Sequence, residues 1–343
     1  MKNIIIQNRY RFAQIAIGLF VLLLSILSCE KETESDASER LTPEPEYSSL
    51  FTDIMFESGF LVSSTDEGNG KTIGTLNYNG KVTDTPVWKI GQWNCINNDF
   101  MNATYSFVDD RHEYRVDTEG NRIAVDTKVG TLTLELNSST EYGKNGIASN
   151  PRRQNEPWPA LLCEYSLSES QILKVADKDE IHMIVDYKVT KIEDKTPLGR
   201  INPNLHAAQF QWFITIQNRN KSSEDFGRYI WFGFDFHDTR YDFTPSFFAQ
   251  DGGKENNTGA FIYMTDMKPI MTDLGKAEVN KRFEVDINVL PIFHEAFALA
   301  QERNYLTKTK WEDLYIGASN IGWEVPGTYD VAVEIYQFDI KYR

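Results

Sequence analysis

Cysteine and histidine are scarce in this sequence, whose 343 residues include three cysteines and five histidines. No C-x-x-C pair and no Cys/His cluster occurs, so we do not expect a zinc site. The sequence also lacks a phosphate-binding glycine-rich loop before a helix, a G-x-S-x-G elbow and an H-E-x-x-H motif. These absences disfavour enzymes that depend on a cofactor, and we expect no cofactor and no catalytic metal.

Basic side chains are in deficit. The chain has 35 lysines and arginines against 50 aspartates and glutamates, which gives a formal net charge of −15. A field of this sign repels a phosphate backbone, so we expect no nucleic-acid partner. Aromatic residues, in contrast, make up 13% of the chain. Such residues favour pleated sheets and flat binding surfaces.

The amino terminus has the pattern of a secretory signal. Residues 1–28 include three basic residues and no acidic one, and an apolar run covers residues 15–27. This run is shorter than the roughly 20 residues that a membrane-spanning helix needs. The run ends at Ser28 and Cys29, which resembles the lipobox of bacterial lipoproteins and implies that Cys29 becomes the acylated first residue. An ordinary secretory signal with an incidental cysteine is the alternative.

Residues 29–49 follow as an acidic segment. Seven acidic groups lie between Glu30 and Glu46, with no aromatic residue among them, so we expect a flexible tether. An acidic run directly after the lipid-bearing cysteine resembles the surface-export signal of Bacteroidetes-type lipoproteins. It implies an outer-membrane lipoprotein on the cell surface that contacts the membrane only through its lipid anchor. A periplasm-facing position is the alternative.

The remaining residues, 50–343, are expected to form one domain, and a division near residues 150–159 is the alternative. Apart from Cys29, this chain contains Cys95 and Cys163. They form an even pair in a compartment that permits disulfides. Two buried free thiols are an equally compatible interpretation, and the sequence leaves both open.

Side chains alternate with a period of two along the body of the chain, as they do in half-buried antiparallel strands. Turns rich in glycine and asparagine separate these runs, which indicates a two-sheet sandwich or a barrel. Residues 291–303 instead follow a helical period, with Pro291 in the first turn, and predict one accessory helix packed over a sheet. The inward-facing sets are Leu132, Leu134 and Leu136; Met183, Val185, Tyr187 and Val189; Phe210, Trp212, Ile214 and Ile216; Ile230, Phe232, Phe234 and Phe236; and Val331, Val333 and Ile335.

The opposite face of two of these strands is polar and aromatic. This face has the residue types of a sugar-binding site: amides, acids, an aromatic ring and a glycine that leaves room for a ligand. Sugar C–H faces stack on aromatic rings, while amides and carboxylates form hydrogen bonds with hydroxyls. The alternative is that a second apolar layer covers this face. Glu164 and Trp323, in neighbouring segments, fit the same surface. The predicted carbohydrate-binding set is Glu164, Gln209, Gln211, Trp231, Asp235, His237, Arg240 and Trp323.

Segments 156–164, 206–218, 228–240 and 320–328 resemble the jelly-roll, concanavalin A-like modules (lectin- and glucanase-like) of Bacteroidetes surface lipoproteins. The resemblance covers most of the chain after residue 150. It implies an all-β, two-sheet antiparallel jelly-roll sandwich with one accessory helix near residues 291–303. It also implies a polysaccharide as partner and a role in polysaccharide utilisation, but it supplies no catalytic residue.

Catalysis in the same cleft is the alternative function. A glycoside hydrolase needs two carboxyl groups facing one cleft, and Glu164, Asp235 and Glu334 are the candidates because each is the acidic member of an otherwise neutral strand face. The E-x-D-x-x-E spacing of laminarinase-like jelly rolls is absent. A polysaccharide lyase would use the residue types present at Tyr229, His237, Arg240 and Gln211, but the R-x-E, Q-I-H and Y-x-K-A-G strings of alginate-lyase-like jelly rolls are absent as well.

Two acidic segments have ligand types suitable for structural calcium. One combines Asp235, Asp238 and Asp242, and the other Asp251 and Glu255. Neither has the spacing of a known calcium loop, so solvated acidic loops are the alternative. A third class of function, a structural adhesin that binds protein, would expose a contiguous apolar patch rather than a polar groove.

Overall fold

Strand pairing divides the chain between two large sheets. The structure is a computed structural model that describes residues 46–66, 70–76, 85–108, 113–252 and 258–343. The strands, in chain order, are β1 Ser48–Ser49, β2 Phe60–Ser63, β3 Thr72–Leu76, β4 Trp88–Gly91, β5 Thr104–Val108, β6 Glu113–Asp117, β7 Arg122–Asp126, β8 Thr131–Asn137, β9 Ala160–Ser166, β10 Leu173–Lys174, β11 Ile181–Asp194, β12 Gln209–Asn218, β13 Tyr229–Asp238, β14 Phe247–Gln250, β15 Phe261–Met264, β16 Arg282–Asn288, β17 Leu314–Glu324 and β18 Tyr329–Tyr342.

Within those ranges, one sheet has eight strands and the other has ten. The eight-stranded sheet has the order β16-β11-β18-β8-β7-β6-β5, with β1 added to β18. The ten-stranded sheet has the order β14-β15-β13-β12-β17-β9-β4-β2-β3, with β10 added to β17. Neighbouring strands are antiparallel except for the pairs β13–β15 and β2–β4, which are parallel. The predicted all-β, two-sheet antiparallel jelly-roll sandwich is therefore confirmed, with two parallel pairs that the sequence did not indicate.

The two sheets pack face to face through the side chains that alternate inward. Every inward-facing residue of the five predicted sets is buried. Aromatic rings join the sheets at the centre: Tyr187 of the eight-stranded sheet lies 5.1 Å from Phe210 of the ten-stranded sheet, measured between ring centroids. Trp88 and Phe338 make a second such contact at 5.1 Å. Burial of apolar surface is the dominant favourable term in folding, and these rings belong to the apolar core between the sheets.

The accessory helix is confirmed as α2, Leu290–Glu302, with a proline in its first turn. Its buried face includes Phe293, whose ring meets Phe232 of β13 edge-on at a centroid distance of 4.8 Å. The helix thus covers the inner side of the ten-stranded sheet at β13 and leaves the outer side of that strand open. A second, five-residue helix, α1, Met267–Met271, was not predicted and begins at the capping residue Asp266.

The first described strand joins the amino-terminal end of the chain segment to the last strand. Ser48 and Ser49 pair with Tyr342 and Lys341, and the Leu50 amide donates to the Ile340 carbonyl. Residues 1–45, which include Cys29, the signal and most of the predicted tether, lie outside the described residues. Both sheets contain strands from before and after residues 150–159, which form a connection within the sandwich.

Cys95 and Cys163 are buried free thiols, which is the second of the two alternatives. Burial raises the pKa of both thiols well above the ordinary value, so both are held in the protonated form. None of the described helices has the length and apolar content that crossing a membrane would require.

Candidate functional site

A groove of about 690 Å³ opens on the outer face of the ten-stranded sheet. Its floor comes from β12 and β13, with contributions from β9, β15 and β17, and its walls come from connecting loops. The lining residues are Trp93, Asn94, Trp158, Ala160, Gln209, Gln211, Phe213, Trp231, Asp235, Asp238, Arg240, Tyr241, Thr244, Pro245, Ser246, Phe247, Asp251, Ile262, Met264 and Glu324.

Strand register places the polar groups of the floor in two rows. In the first row Gln209 lies between Asp238 of β13 and Glu324 of β17. In the second row Gln211 is paired with Asp235 on one side and with Gly322 on the other. Since side chains at alternate positions share a face, both glutamines project from the same side of β12.

A β-bulge in β13 brings the two aspartates to the same face. Phe210 pairs with His237 while Gln211 pairs with Asp235, so Phe236 is an extra residue in β13. Without a bulge, positions 235 and 238 would point to opposite faces, because side chains alternate. The bulge therefore adds Asp238 to the groove and turns His237 toward the side of Phe210.

Asp235 is a buried carboxyl group at the floor of the groove, with 2% of its surface exposed. Its Oδ2 accepts hydrogen bonds from Gln209 Nε2 at 3.1 Å and from Gln211 Nε2 at 3.4 Å. Its Oδ1 is buried without a hydrogen-bond partner in the structure. Burial, and then the negative charge of Asp238, raise the pKa of Asp235 well above its ordinary value. The protonated form is therefore favoured.

The Asp238 carboxylate has an arginine as its partner, unlike that of Asp235. Its buried carboxylate accepts from Arg240 Nε at 2.9 and 3.1 Å and from the Arg240 Nη2, a charge-assisted fork. The amide of Gln209 also donates to Asp238 Oδ2 at 3.0 Å, so one side chain bridges the two aspartates. The bond to Asp238 raises the pKa of Arg240. We infer a neutral Asp235 beside the charge-assisted pair of Asp238 and Arg240.

One wall of the groove is formed by Trp158, in a Pro-Trp-Pro segment before β9. Its indole Nε1 donates to Glu324 Oε2 at 3.1 Å, and the Arg152 guanidinium lies 5.1 Å from the ring centroid. Arg152 is buried and donates to the carbonyls of Glu156, Leu205 and Pro326 at 2.8 to 2.9 Å. The wall is thereby tied to three chain segments.

The opposite wall is also aromatic. Trp231 of β13 meets Phe213 edge-on at a centroid distance of 5.7 Å, and both line the groove. Tyr241 and Phe247, from the loop after β13 and the start of β14, are 47% and 56% exposed. The glycine that was predicted to give a ligand room on this face is Gly233, but the Phe213 ring occupies that space, because a Cβ at Gly233 would lie 2.6 Å from the ring. The glycine instead makes room for that ring.

The groove gathers five of the eight predicted carbohydrate-binding residues, Gln209, Gln211, Trp231, Asp235 and Arg240. Trp323 was expected to be exposed, but it is fully buried, 5.5 Å from the Phe210 ring. Because it pairs with Phe210, it shares the inner face, and its neighbour Glu324 takes the outer face. His237 is outside the groove because of the bulge, and burial lowers its pKa to about 4.

Glu164 lies on the outer face but does not line the groove. Its carboxylate leans over Gly91 and pairs with Lys89 Nζ at 3.3 Å. Burial raises the pKa of Glu164. On the strand register, three interstrand spacings, ~14 Å, separate the β9 and β13 backbones. Glu164 and Asp235 are thus too far apart to act as a pair of catalytic carboxyl groups.

The rest of the predicted catalytic set is also dispersed. Glu334 belongs to β18 in the other sheet, where it pairs with Lys188 Nζ at 2.7 Å. The proposed lyase set is not assembled, because Tyr229 and His237 do not line the groove and Arg240 is bound to Asp238. The separation of Glu164 from Asp235, the position of Glu334 in the other sheet and the dispersal of the lyase set correct the catalytic assignments.

Of the predicted calcium ligands, Asp235 and Asp238 lie together on the groove floor, where Gln209 bridges them, but the remaining ligands of the two sets do not join them as a site. Asp238 is occupied by Arg240, and exposed Asp242 pairs with Lys276 Nζ at 3.4 Å. Glu255 lies outside the described residues, whereas Asp251 accepts from Thr258 at the groove edge. In the portion of the chain that was described, no group of three or more His, Cys, Asp or Glu side chains could hold a metal ion.

Sequence reasoning missed the residues that form the walls. A signal existed for Trp158, which is flanked by two prolines, and for Glu324, which alternates with an apolar neighbour. No sequence pattern indicated which distant loops would lie together to form the walls. The lining residues outside the predicted carbohydrate-binding set include Trp93, Trp158, Asp238, Tyr241, Phe247 and Glu324.

Neither a protein-family model nor a curated protein matches this chain. Among solved structures, an endoglucanase from Rhodothermus marinus is similar with a TM-score of 0.37 and 8% identity, over 70% of this chain and 96% of that one. A family 12 xyloglucanase from Bacillus licheniformis has a TM-score of 0.37 and 12% identity, over 74% and 100%. A family 11 xylanase from Neocallimastix patriciarum has a TM-score of 0.36 and 10% identity, over 74% and 100%. Similarity at this level assigns no family and no activity to this chain.

The raised pKa of Asp235 predicts a pH-dependent effect of the Asp235→Asn substitution. Stability from the neutral carboxyl is fully present below its unfolded pKa of about 3.9 and is lost as the pH rises toward the folded pKa. The asparagine oxygen still accepts from both glutamines without a charge. The free energy of unfolding of the variant, relative to wild type, should therefore increase with pH, by up to about 1.4 kcal/mol per unit.

Urea unfolding from pH 4 to 9 measures this difference. Asp242→Asn, at a 74% exposed side chain, is the matched control and should show no such trend. A difference for Asp235→Asn that stays constant across the pH range would contradict a raised pKa.

Proposed function

We propose that this protein binds a polysaccharide in the groove on its outer sheet face. The observation that carries the proposal is the position of aromatic side chains on two sides of a floor made of amides and carboxyl groups. Trp93 and Trp158 stand at one side, and Trp231, Tyr241 and Phe247 at the other. Rings present flat apolar surfaces to sugar C–H groups, while the floor groups pair with hydroxyls. A concave site of about 690 Å³ is in the size range of ligand pockets.

The spacing of the two walls favours a polymer over a single sugar. Trp158 precedes β9, and Trp231 belongs to β13, with β17 and β12 between them. These strands span three interstrand spacings, or ~14 Å, which is more than one sugar ring. A chain of several sugars would contact both walls and the polar floor together.

We further propose that the protein is held at the outer membrane through a lipid on Cys29, with the domain facing the cell surface. The signal pattern, the position of Cys29 and the acidic segment after it support this part of the proposal. A tethered binding domain would hold polysaccharide near the cell for utilisation. The lipid, not a spanning helix, would be the membrane contact.

Hydrolysis of the bound chain is the second candidate. The favouring observation is that the groove holds carboxyl groups in different surroundings: Asp235 is shielded and favours its proton, whereas Glu324 lies at the wall beside Trp158. Pairs of carboxyl groups with different environments are the acid–base arrangement of glycosidases.

Truncation of the wall aromatics should weaken polysaccharide binding. Trp158→Ala and Trp231→Ala each remove one stacking surface worth about 0.5–1.5 kcal/mol, which corresponds to roughly a two- to twelvefold loss of affinity. Affinity electrophoresis of the full chain in a panel of plant, algal and host glycans measures the change. Trp311→Ala is the control, because Trp311 stacks on His294 away from the groove. Absence of retardation by any glycan would count against the function.

The two candidate functions differ in their products. A binding protein releases neither reducing ends nor the ultraviolet absorbance of unsaturated ends from a polysaccharide that it retains. If it is a hydrolase, reducing ends appear, and Asp235→Asn or Glu324→Gln should reduce their rate by at least about 100-fold, as loss of general acid–base catalysis does, while binding persists. Glu164→Gln, outside the groove, is the control.

Lipid anchoring predicts how the protein partitions. In the native cell, wild-type protein should enter the detergent phase of a Triton X-114 extract, and Cys29→Ala should shift it to the aqueous phase. Ser35→Ala, in the acidic segment, should leave the partition unchanged. Digestion by protease added to intact cells would support surface display, and protection would favour the periplasm-facing alternative. Equal partitioning of wild type and Cys29→Ala would rule out the anchor.

A further inference from the structure

The amide nitrogen of Gln209 is fully used inside the protein. It carries two N–H donors, and it is hydrogen-bonded to Asp235 Oδ2 at 3.1 Å and to Asp238 Oδ2 at 3.0 Å. Both acceptors belong to β13, the neighbouring strand. Only the amide oxygen of Gln209 therefore remains for a molecule in the groove.

The same two carboxyl groups fix the orientation of this amide. Turning it over would place its oxygen against Asp238 Oδ2, which already accepts from Arg240 Nε and Nη2. Two acceptors would then face each other, and the bond to Asp235 would be lost as well. The network thus holds the nitrogen toward β13 and the oxygen away from it.

The Gln209 amide oxygen is accessible to a ligand. Gln209 is half-buried and lines the groove. In the part of the chain that the structure describes, no donor is hydrogen-bonded to Gln209 Oε1, and this oxygen is not enclosed by protein. A carbonyl oxygen at a fixed position accepts a hydrogen bond and cannot donate one. Gln209 therefore requires a donor from whatever lies against it.

The neighbouring glutamine is not restricted in this way. Gln211 makes one bond through its amide nitrogen, to Asp235 Oδ2 at 3.4 Å. A second N–H and the amide oxygen remain, so Gln211 can act toward a ligand as a donor or as an acceptor. The protein therefore sets the direction of the hydrogen bond at Gln209 and leaves it open at Gln211.

We propose that Gln209 is a specificity-determining residue, whose amide oxygen accepts a hydrogen bond from a free hydroxyl of the bound polysaccharide. This inference rests on the proposed binding function and names the substrate class of that same site, chains that are not etherified or esterified at that hydroxyl. A methylated hydroxyl keeps its oxygen but has no proton to donate. Two acceptors then meet at Gln209, and both lose water without gaining a partner.

Matched glycans test this proposal on the wild-type protein. Hexasaccharides from cellulose, xylan, mannan and β-1,3-glucan are each compared with their O-methylated counterparts, by titration calorimetry with the full chain in detergent. For any glycan that binds, we expect the free form to bind at least about fivefold tighter, which is the factor that one hydrogen bond of ordinary net strength supplies. Equal or tighter binding of the methylated form would overturn the assignment.

Gln209→Met assigns the preference to this residue. Methionine is similar in length but has no amide oxygen, so the preference for the free form should fall by about fivefold. The added bulk of the methyl groups and the contacts of other hydroxyls affect wild type and variant alike, so an unchanged preference would contradict the proposal. Gln217→Met is the matched control, because Gln217 lies on the same strand but does not line the groove; it should leave the preference unchanged.

Gln209→Glu separates recognition from a purely structural role. It keeps an oxygen for the hydroxyl, but it weakens the bridge to the two aspartates and adds a third carboxyl group beside them. In urea unfolding we expect it to be less stable than Gln209→Met, and yet to bind the free glycan more tightly. Affinities that follow the order of stability would overturn the role of Gln209 and leave the binding function standing. Lack of binding of the wild type to every glycan would overturn both.

Discussion

The site depends on one irregularity in an otherwise regular sheet, the bulge that sets two residues of β13 against Phe210. Regular alternation would place Asp235 on the outer face and Asp238 on the inner face. With one extra residue between them, both carboxyl groups project outward and come within reach of the Gln209 amide, at 3.1 and 3.0 Å. The same extra residue turns the His237 side chain away from the groove and toward the side of Phe210. One inserted residue thus determines which side chains form the floor.

Bringing two carboxyl groups together under a sheet face is unfavourable unless their charges are compensated. The protein uses a different compensation for each. Asp238 is held by the forked hydrogen bonds of Arg240, whereas burial, and then the negative charge of Asp238, favour a proton on Asp235. A sandwich core needs no such arrangement, and buried polar networks are retained where a site uses them. The unfavourable free energy of burying these two carboxyl groups is therefore what a functional surface would explain.

Much of the fold could be predicted from the sequence, because alternation by two directly reports which face of a strand is buried. The inward sets at Leu132–Leu136, Phe210–Ile216 and Val331–Ile335 are all buried, as expected. Residue type alone was misleading at Trp323, where a tryptophan near a turn was predicted to be exposed. Its alternation with Glu324 and its pairing with Phe210 place it in the core instead. The bulge carries no sequence signature, so His237 was misplaced.

Walls of the groove were harder to predict than its floor, since they come from segments that are distant in sequence. Asn94 and Trp158 are joined by a hydrogen bond of 2.9 Å from the Asn94 amide to the Trp158 carbonyl. No local pattern encodes that contact. The catalytic candidates were misassigned for a related reason. An acidic residue on a strand face does not indicate which sheet the strand joins, and Glu334 belongs to the other sheet. Nor does it indicate which side chain pairs with the carboxylate, and Glu164 pairs with Lys89.

The same long-range contacts also explain how a loop can serve as a binding wall. A tryptophan on an untethered loop would lose conformational freedom on binding, and this loss would reduce affinity. Here Arg152 fastens the Trp158 segment to the carbonyls of Leu205 and Pro326, while Glu324 holds the indole nitrogen. Because these contacts are made within the protein before any ligand arrives, the ordering cost is met during folding. The floor is fixed by strand register, and the Trp158 wall by the hydrogen bonds of a buried guanidinium, so the proposed binding surface is already ordered in the unliganded protein.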